Sequence, residues 1–152
     1  MPTTSSRFNK GITASLNISS TLSTYNKAKK MFNKVGMVIE LKKEQEMDTF
    51  TGLIGSGPAY FFYLLKAYEK RLIKLCNNDS ALTAKAMSGL LEGVALSLED
   101  GSSMNDLIKK VASKKGTTEA GLKSFKKNKL LSSFDKGISA AVNRSKEIAN
   151  ES

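Results

Sequence analysis

From Met47 to the end of the chain, apolar residues recur three or four positions apart. This spacing puts the apolar residues on one side of a helix, and short polar links containing Gly, Asn, Asp or Ser separate one run from the next. Links of this length join helices that lie side by side. The pattern therefore predicts five or six helices forming an α-helical domain.

The start of the chain has a different pattern. Apolar and polar residues alternate over 12–18, which is typical of a strand, and a second apolar run follows at 37–41. Between them, 23–34 has helical spacing. Strand, helix and strand make one crossover unit, which is too small to bury both faces of a sheet. We therefore expect two domains, 1–46 and 47–152, the first of which packs against other structure.

Local signals set the ends of several predicted helices. Pro58 restarts a helix after the break at Gly55–Gly57, because proline suits the first helical turn. Ser80 is the predicted N-cap of the next helix, and Ser103 with Asp106 three residues later is a predicted capping pair. These signals place the links between helices.

A row of small residues lies along one predicted helix, at Gly89, Gly93 and Ser97. Small residues four apart let a second helix approach closely, for steric reasons. Packing within the chain and packing against another subunit both fit this row. The spacing alone slightly favours packing within the chain.

The charge of the chain is strongly basic, with a formal net charge of +10 and a pI of about 9.7. Only three of its 24 basic residues are arginines, at positions 7, 71 and 144, although arginine is favoured for bidentate recognition of phosphate and guanine. The lysines are spread in pairs along the whole chain. This distribution favours a solvated basic surface over a nucleic-acid partner.

Cysteine content and hydropathy indicate the compartment. Cys76 has no second cysteine to pair with, and the N-terminus shows no secretory leader. The longest apolar run, 59–65, is about a third of the roughly 20 residues that span a bilayer. We expect a cytoplasmic protein with no membrane partner.

The side chains present also limit the chemistry. The sequence has no histidine, one cysteine and no spaced cluster of carboxylates. Zinc and calcium sites need such ligands, and nucleophilic catalysis by serine or cysteine needs a base such as histidine. We therefore predict no metal site.

The segment from Ser113 to Leu122 is the main candidate for a binding site. Ser113, Gly116, Thr117 and Thr118 lead directly into a helical run, whose first backbone amides have no partner within the helix and attract carboxylate or phosphate. Capping of the helix by Thr117 or Thr118 alone is the plainer interpretation. In the functional interpretation, the amides of Gly116 and Thr117 and the hydroxyl of Ser113 bind a carboxylate.

Three motifs, taken together and in order, point to one family. They are Gly-Ser-Gly-Pro-Ala-Tyr at 55–60, Gly-Thr-Thr-x-Ala-Gly-Leu at 116–122, and Met-Pro-Thr-Thr at 1–4 followed by Gly11. With these motifs the chain resembles the pyrroline-5-carboxylate reductase family over almost its whole length.

This resemblance implies a fold and an activity. Members of the family reduce 1-pyrroline-5-carboxylate to L-proline with NADPH or NADH, the last step of proline biosynthesis. Their subunit has a Rossmann cofactor domain and an all-helical dimerisation domain of the pyrroline-5-carboxylate reductase and 6-phosphogluconate dehydrogenase C-terminal type. The expected fold is therefore mainly α: residues 47–152 as the dimerisation domain, preceded by a β-α-β remnant of the Rossmann domain at 1–46.

The resemblance also implies roles for individual residues. Ser113, Gly116 and Thr117 would bind the substrate carboxylate, and Thr118 would donate a hydrogen bond to the imine nitrogen as the catalytic residue. Pro2 and Thr3 would lie near the nicotinamide as cofactor-binding residues. The substrate site would form between the cofactor domain of one subunit and the helical domain of the other, so a homodimer or a higher oligomer is expected.

The chain departs from the family pattern at the site. Thr3 replaces an asparagine, Lys109 replaces an aspartate, and Lys114 and Lys115 replace proline and glycine. The loss of that glycine argues against a left-handed backbone at position 115. The residues leave open whether the two lysines abolish substrate binding.

The sequence also lacks the glycine-rich turn that binds the dinucleotide phosphates, so we expect no tight binding of NADP or NAD by this chain alone. Our first hypothesis is a C-terminal fragment of a reductase that is inactive alone, and our second is completion by a separately encoded Rossmann piece. The alternative function is a non-catalytic dimeric scaffold or a basic nucleic-acid-binding module. Whether the chain itself is an enzyme stays open at this point.

Overall fold

The structure, a computed structural model, describes residues 1–151. Contacts between residues divide the chain into two compact units. The sheet-bearing unit consists of Met1–Tyr60 and the end of the chain from Asp135, and the helical unit consists of Phe61–Phe134. The predicted domain boundary after residue 46 stays a prediction.

The predicted crossover is present in the sheet-bearing unit. A 3₁₀ turn at Thr4–Phe8 precedes strand β1 (Gly11–Ser15), helix α1 (Leu22–Phe32) and strand β2 (Gly36–Glu40). The two strands are parallel, with Gly11 opposite Gly36 and Ser15 opposite Glu40. Thr13 and Ala14 of β1 are each only 2 % exposed, so the buried part of this unit lies against the strand.

β1 is shorter than the alternation at 12–18 predicts. The side chain of Asn17 accepts a hydrogen bond from the Ser20 amide at 3.0 Å and donates one to the Ser20 carbonyl at 3.1 Å. An asparagine that bonds to the backbone in this way closes a turn. The chain therefore leaves the sheet after Ser15.

Helix α1 is bonded to the carboxyl ends of both strands. The Tyr25 hydroxyl lies 2.8 Å from Ser15 Oγ, and Lys29 forms an ion pair with Glu40. The Lys29 ammonium, the first cause, and the Tyr25 hydroxyl hold the pKa of Glu40 below its usual value. These contacts fix the crossover helix over the carboxyl ends of the strands.

The sheet-bearing unit also contains the first and the last helices of the predicted helical region 47–152. Helix α2 (Gln45–Phe50) runs into a π-helical turn (Thr51–Gly55). Gly52 packs against helix α7 (Leu130–Glu151), where a Cβ at Gly52 would lie 2.5 Å from Val142 Cγ2 and 2.9 Å from the Val142 nitrogen. Nearby, Ser145 Oγ donates to Asp48 at 2.8 Å. Position 52 therefore needs glycine for close packing.

The remaining helices confirm the mainly α fold expected after the crossover. Helix α3 (Gly57–Leu75) begins in the sheet-bearing unit and continues into the helical unit. Three more helices lie between it and α7: α4 (Ser80–Leu98), α5 (Met104–Val111) and α6 (Thr117–Lys127). The predicted capping pair is present, with Ser103 accepting from the Asp106 amide and donating to its carboxylate. The predicted cap at Ser80 is wrong, because the Asp79 side chain accepts from the Leu82 amide and Ser80 is the first helical residue.

Helix α4 differs from the other helices in its exposure. It is long and apolar enough to span a membrane by length and composition, yet only 6 % of its most apolar stretch is buried. Such length and composition are weak evidence for a membrane, since the core helix of a soluble protein has them too. A helix that is apolar all round is normally buried.

The small-residue row on α4 does not pack within the chain. A Cβ built at Gly89 or Gly93 would meet no atom within 4 Å. The slight preference for packing within the chain is therefore wrong. Spacing along one helix says how closely a neighbour can approach but not which molecule supplies it.

Candidate functional site at the start of helix α6

The candidate site is the turn between α5 and α6. Gly116 is the N-cap of α6, with φ −83° and ψ 175°, and its amide donates to the Ser113 carbonyl at 3.0 Å. A Cβ at Gly116 would overlap Ser113 Oγ and would lie 3.0 Å from the Ser113 carbonyl oxygen. Glycine at this position therefore lets the Ser113 side chain lie directly against the helix start.

This geometry changes which groups are available to a ligand. Thr117 and Thr118 are the first two residues of α6, so the prediction that one of them is the N-cap is wrong. The Gly116 amide is held by Ser113, whereas the amides of Thr117 and Thr118 lie in the first turn, where a helix supplies no acceptor. Ser113 and Thr117 are exposed and Thr118 is half-buried. The structure thus brings the four predicted substrate-binding residues into one turn, with the hydroxyl of Ser113 and the first amides of α6 at its surface.

Lys115 adopts a left-handed backbone, although its side chain disfavours that conformation. Its φ is 60°, in the left-handed region. Its amide donates to Glu119 Oε2 at 2.5 Å, and Glu119 Oε1 lies 2.6 Å from the Lys123 ammonium. A left-handed residue with a side chain costs about 1–2 kcal/mol relative to glycine, and the bond to Glu119 offsets part of that cost. The left-handed turn therefore forms with a lysine at position 115.

Glu119 completes this turn and was not among the predicted site residues. Hydrogen bonds from Lys123, the larger cause, and from the Lys115 amide hold the pKa of its carboxyl below the usual value. Glu119 is the third residue after the cap Gly116, which is the spacing of a capping box. That spacing is visible in the sequence and could have identified the residue.

The lysines around the turn differ in whether they form ion pairs. The Lys109 ammonium lies 3.6 Å from Asp106, so the charge that replaces the family's aspartate is partly neutralised. Lys114 and Lys115 are exposed, and no ion pair is recorded for either within residues 1–151. Together with the helix N-terminus, these two cations make the turn attractive to an anion.

The predicted cofactor-binding residues lie in the sheet-bearing unit. Pro2 forms an antiparallel bridge with Thr13. The Thr3 hydroxyl accepts from the Ile12 amide at 3.0 Å and lies 2.9 Å from Ser5 Oγ, so it is already engaged beside β1. The connection from β1 to α1 contains no glycine. It therefore does not fit the close approach of a dinucleotide pyrophosphate, which needs a glycine-rich turn.

The comparison with protein families decides how this turn is interpreted. The model described as pyrroline-5-carboxylate reductase dimerisation matches residues 44–148, well over half of the chain. This chain belongs to the pyrroline-5-carboxylate reductase family. The matched range includes the whole turn from Ser113 to Thr118.

Individual relatives show how much of a reductase is present. A pyrroline-5-carboxylate reductase of Pseudomonas aeruginosa is 32 % identical over 124 residues, which are 82 % of this chain and 45 % of the relative. A reductase structure from Coxiella burnetii has 32 % identity and a TM-score of 0.81, covering 97 % of this chain and 55 % of the other. The Plasmodium falciparum enzyme, solved with NADP bound, has 25 % identity and a TM-score of 0.82, covering 97 % of this chain and 60 % of the other. The chain spans about half the length of the relatives it matches.

Within residues 1–151, no group of three or more His, Cys, Asp or Glu side chains is arranged to hold a metal ion. The groups that the turn offers are hydroxyls, backbone amides and lysine ammoniums, which suit an organic anion.

Proposed function

We propose that this chain is the substrate-binding and dimerisation part of a pyrroline-5-carboxylate reductase. The observation that carries the proposal is the turn itself: Ser113, Gly116, Thr117 and Thr118 lie together at the start of α6, inside the range matched by the family model. The substrate class is a small cyclic imine that carries a carboxylate.

The carboxylate binds at the start of α6. The first-turn amides of Thr117 and Thr118 and the hydroxyl of Ser113 donate to its oxygens, and the helix dipole with Lys114 and Lys115 adds positive potential. Gly116 acts indirectly, because its lack of a side chain lets Ser113 reach this position.

The imine ring is oriented by Thr118. A hydroxyl beside the bound carboxylate donates a hydrogen bond to the ring nitrogen and polarises the C=N bond, and positioning of this kind is worth several kcal/mol of the activation barrier. The half-buried Thr118 side chain is the candidate for this role.

A reduced dinucleotide supplies the hydride in this family, and NADP is bound in the Plasmodium falciparum relative. The connection from β1 to α1 contains no glycine, and the Thr3 hydroxyl is already bonded to Ile12 and Ser5. We therefore infer that the dinucleotide is held by a Rossmann domain outside this sequence, joined to it or separately encoded, and that the chain alone is inactive.

The oligomeric state follows from the same comparison. The matched region is a dimerisation region, and we infer that the chain forms a homodimer. The expected cytoplasmic location stays a prediction.

A steady-state assay of NADPH oxidation with 1-pyrroline-5-carboxylate tests the proposal. The purified chain alone should give no turnover, whereas addition of a separately produced Rossmann domain of this family should restore it. Turnover by the chain alone would show that it is not an incomplete enzyme. Failure of every added cofactor domain to associate or to restore turnover would count against the reductase role.

Variants of the restored enzyme test the role of the Thr118 hydroxyl against a control threonine. Thr118→Val should lower kcat by about 10²-fold, in the range found when one preorganised donor is removed, and Thr118→Ser should recover most of it. Thr49→Val, an exposed threonine on α2, is the matched control and should leave kcat unchanged. Equal effects at both positions would contradict a direct role for Thr118.

A further inference from the structure

The turn before helix α6 has a backbone conformation that its own residues do not favour. The Gly116 amide donates to the Ser113 carbonyl at 3.0 Å, so residues 113–116 form a β-turn, and its third residue, Lys115, has φ 60°. A positive φ at the third position alone is typical of a type II turn, which prefers proline at the second position and glycine at the third. This chain has lysine at both positions. The turn type is therefore set by a contact from outside these four residues.

The Glu119 carboxylate makes that contact. Its Oε2 accepts from the Lys115 amide at 2.5 Å, and its Oε1 lies 2.6 Å from the Lys123 ammonium. Hydrogen bonds from Lys123, the larger cause, and from the Lys115 amide keep the pKa of this carboxyl below its usual value, so it accepts as an anion at neutral pH. A charge-assisted hydrogen bond is about twice as strong as one between neutral groups. Glu119 thus holds the Lys115 amide while Lys123 balances its charge.

The Lys115 amide belongs to the peptide that decides the type of the turn. Types I and II differ in the orientation of the central peptide, here the one that joins Lys114 to Lys115, whereas the bond between the first and fourth residues is compatible with both. Turning this peptide over gives Lys115 a negative φ, which suits a residue with a side chain, and points its amide away from Glu119. The bond to Glu119 therefore favours type II over type I.

We propose that Glu119 is a positioning residue, which keeps the substrate-binding turn in its type II form through the Lys115 amide. This inference rests on the proposed function and names a residue that controls it. In the type II form the central peptide directs an N–H toward the first turn of α6, where Glu119 lies. In the type I form the Lys114 carbonyl oxygen takes that direction, and its partial negative charge opposes a carboxylate bound at the same helix end. The type II form is therefore the one that binds the substrate well.

The preference of the backbone sets the size of the effect. A left-handed residue with a side chain is disfavoured roughly tenfold relative to glycine. Without the Glu119 bond, about a tenth of the molecules should keep the type II form, and the apparent affinity for substrate should fall by the same factor. With glycine at position 115, the type II form is favoured without Glu119. Glu119 and Lys115 should therefore behave as a coupled pair.

Nuclear magnetic resonance of the chain alone tests the turn. In the type II form the Lys115 amide proton lies close to the Lys114 Hα and gives a strong nuclear Overhauser effect, whereas the two protons lie farther apart in type I. The signal should be strong in the wild type, weak in Glu119→Ala and strong again in Glu119→Gln, whose amide oxygen still accepts. Lys123→Gln is the control, because it removes the ion pair and keeps the acceptor, and its signal should stay strong. An unchanged signal in Glu119→Ala would overturn the proposal.

Kinetics of the restored enzyme test the link to substrate. Glu119→Ala should raise KM for 1-pyrroline-5-carboxylate about tenfold and leave kcat within about twofold, because the bound complex has the same turn. A general loss of structure would instead lower kcat in proportion to the folded fraction and leave KM unchanged. Glu119→Gln should recover most of the lost affinity, and Lys123→Gln should change KM by no more than about twofold.

A double variant separates this coupling from a general effect on α6. On the Lys115→Gly background, adding Glu119→Ala should change KM by less than about twofold, whereas a plain loss of helix capping would act equally on both backgrounds. Equal changes on both backgrounds, or a KM that is the same in all variants, would overturn the positioning role and leave the proposed function standing. Absence of turnover in every restored mixture would refute the proposed function, while the nuclear Overhauser effect still decides whether Glu119 sets the turn.

Discussion

The sheet-bearing unit and the helical unit differ in where their apolar side chains lie. In the first, Ala14, Phe50 and Gly52 are buried, and Asp48 bonds to Ser145 almost a hundred positions away. In the second, side chains on helical stripes remain exposed, such as Leu90 on α4 and Leu131, which is 84 % exposed.

This contrast shows that helical periodicity and a completed core are different properties. Both units leave large apolar side chains exposed, such as Ile18 and Met31 in the sheet-bearing unit, but the most apolar stretch of α4 in the helical unit is only 6 % buried. Since burial of apolar area is the main favourable term in folding, we expect the helical unit to gain stability from the second copy of the inferred homodimer.

The largest expected effect is at Phe50, which is 5 % exposed. Phe50→Ala removes a buried ring from the sheet-bearing unit and should lower the free energy of unfolding by about 3–5 kcal/mol at any protein concentration. In the helical unit, Phe62 is 68 % exposed, so Phe62→Ala should matter less in dilute samples than in concentrated ones. Urea unfolding at two protein concentrations measures the loss of stability in both variants. A loss for Phe50→Ala that depends on protein concentration would contradict the difference between the two units.

Gly52 gives the next largest effect. A methyl group there would press on the Val142 backbone of α7, so Gly52→Ala should destabilise the chain by about 1–3 kcal/mol. Gly137→Ala has open space and should be neutral or stabilising by up to about 1 kcal/mol, since alanine favours a helix. Urea denaturation of the two variants checks the pair; equal effects would show that α7 is not packed on the π-helical turn.

The sequence predicted the elements better than their surroundings. The capping pair Ser103–Asp106 and the crossover were predictable because they depend on residues close in the chain. The neighbour of Gly89 and Gly93 was not, because periodicity carries no information on which molecule a face meets. At the site, the roles of the four residues from Ser113 to Thr118 stay predictions, and the range of the family match includes this segment.

Two details of the site could not be predicted from the sequence. The Gly116 amide is used by Ser113, and Lys115 adopts φ 60° despite its side chain. Backbone propensity argued against the second, but the bond from the Lys115 amide to the Glu119 side chain is a local contact that propensity does not include.

A smaller effect of opposite sign is expected at Lys115. Because its backbone is left-handed, Lys115→Gly should stabilise the helical unit by about 1 kcal/mol. Lys114 has no positive φ, so Lys114→Gly should destabilise by roughly 0.5–1 kcal/mol through added freedom in the unfolded chain. Thermal unfolding of both variants decides this, and a loss of stability in Lys115→Gly would contradict the strained turn.

The smallest effect is the pH dependence of the link after α4. Hydrogen bonds from the Lys110 ammonium, the largest cause, and from Ser102 lower the pKa of Asp100 from 3.8 to about 2. A carboxyl whose folded pKa is depressed stabilises the fold above its unfolded pKa, and this contribution is lost as the pH falls through about 2.

An NMR titration of the Asp100 carboxyl carbon should therefore give a midpoint near 2, and Lys110→Gln should move the midpoint up toward 3.8. The exposed pair contributes little to stability, in keeping with an interaction at the surface of the helical unit. A wild-type midpoint near 3.8 would show that the ion pair does not persist in solution.

We infer that a second copy of the chain completes the helical unit. Light scattering on the purified wild-type chain at micromolar concentration measures this directly. We predict a mass of twice the 16.5 kDa of one chain, or a higher even multiple. A folded, stable species of 16.5 kDa with α4 still exposed would contradict it.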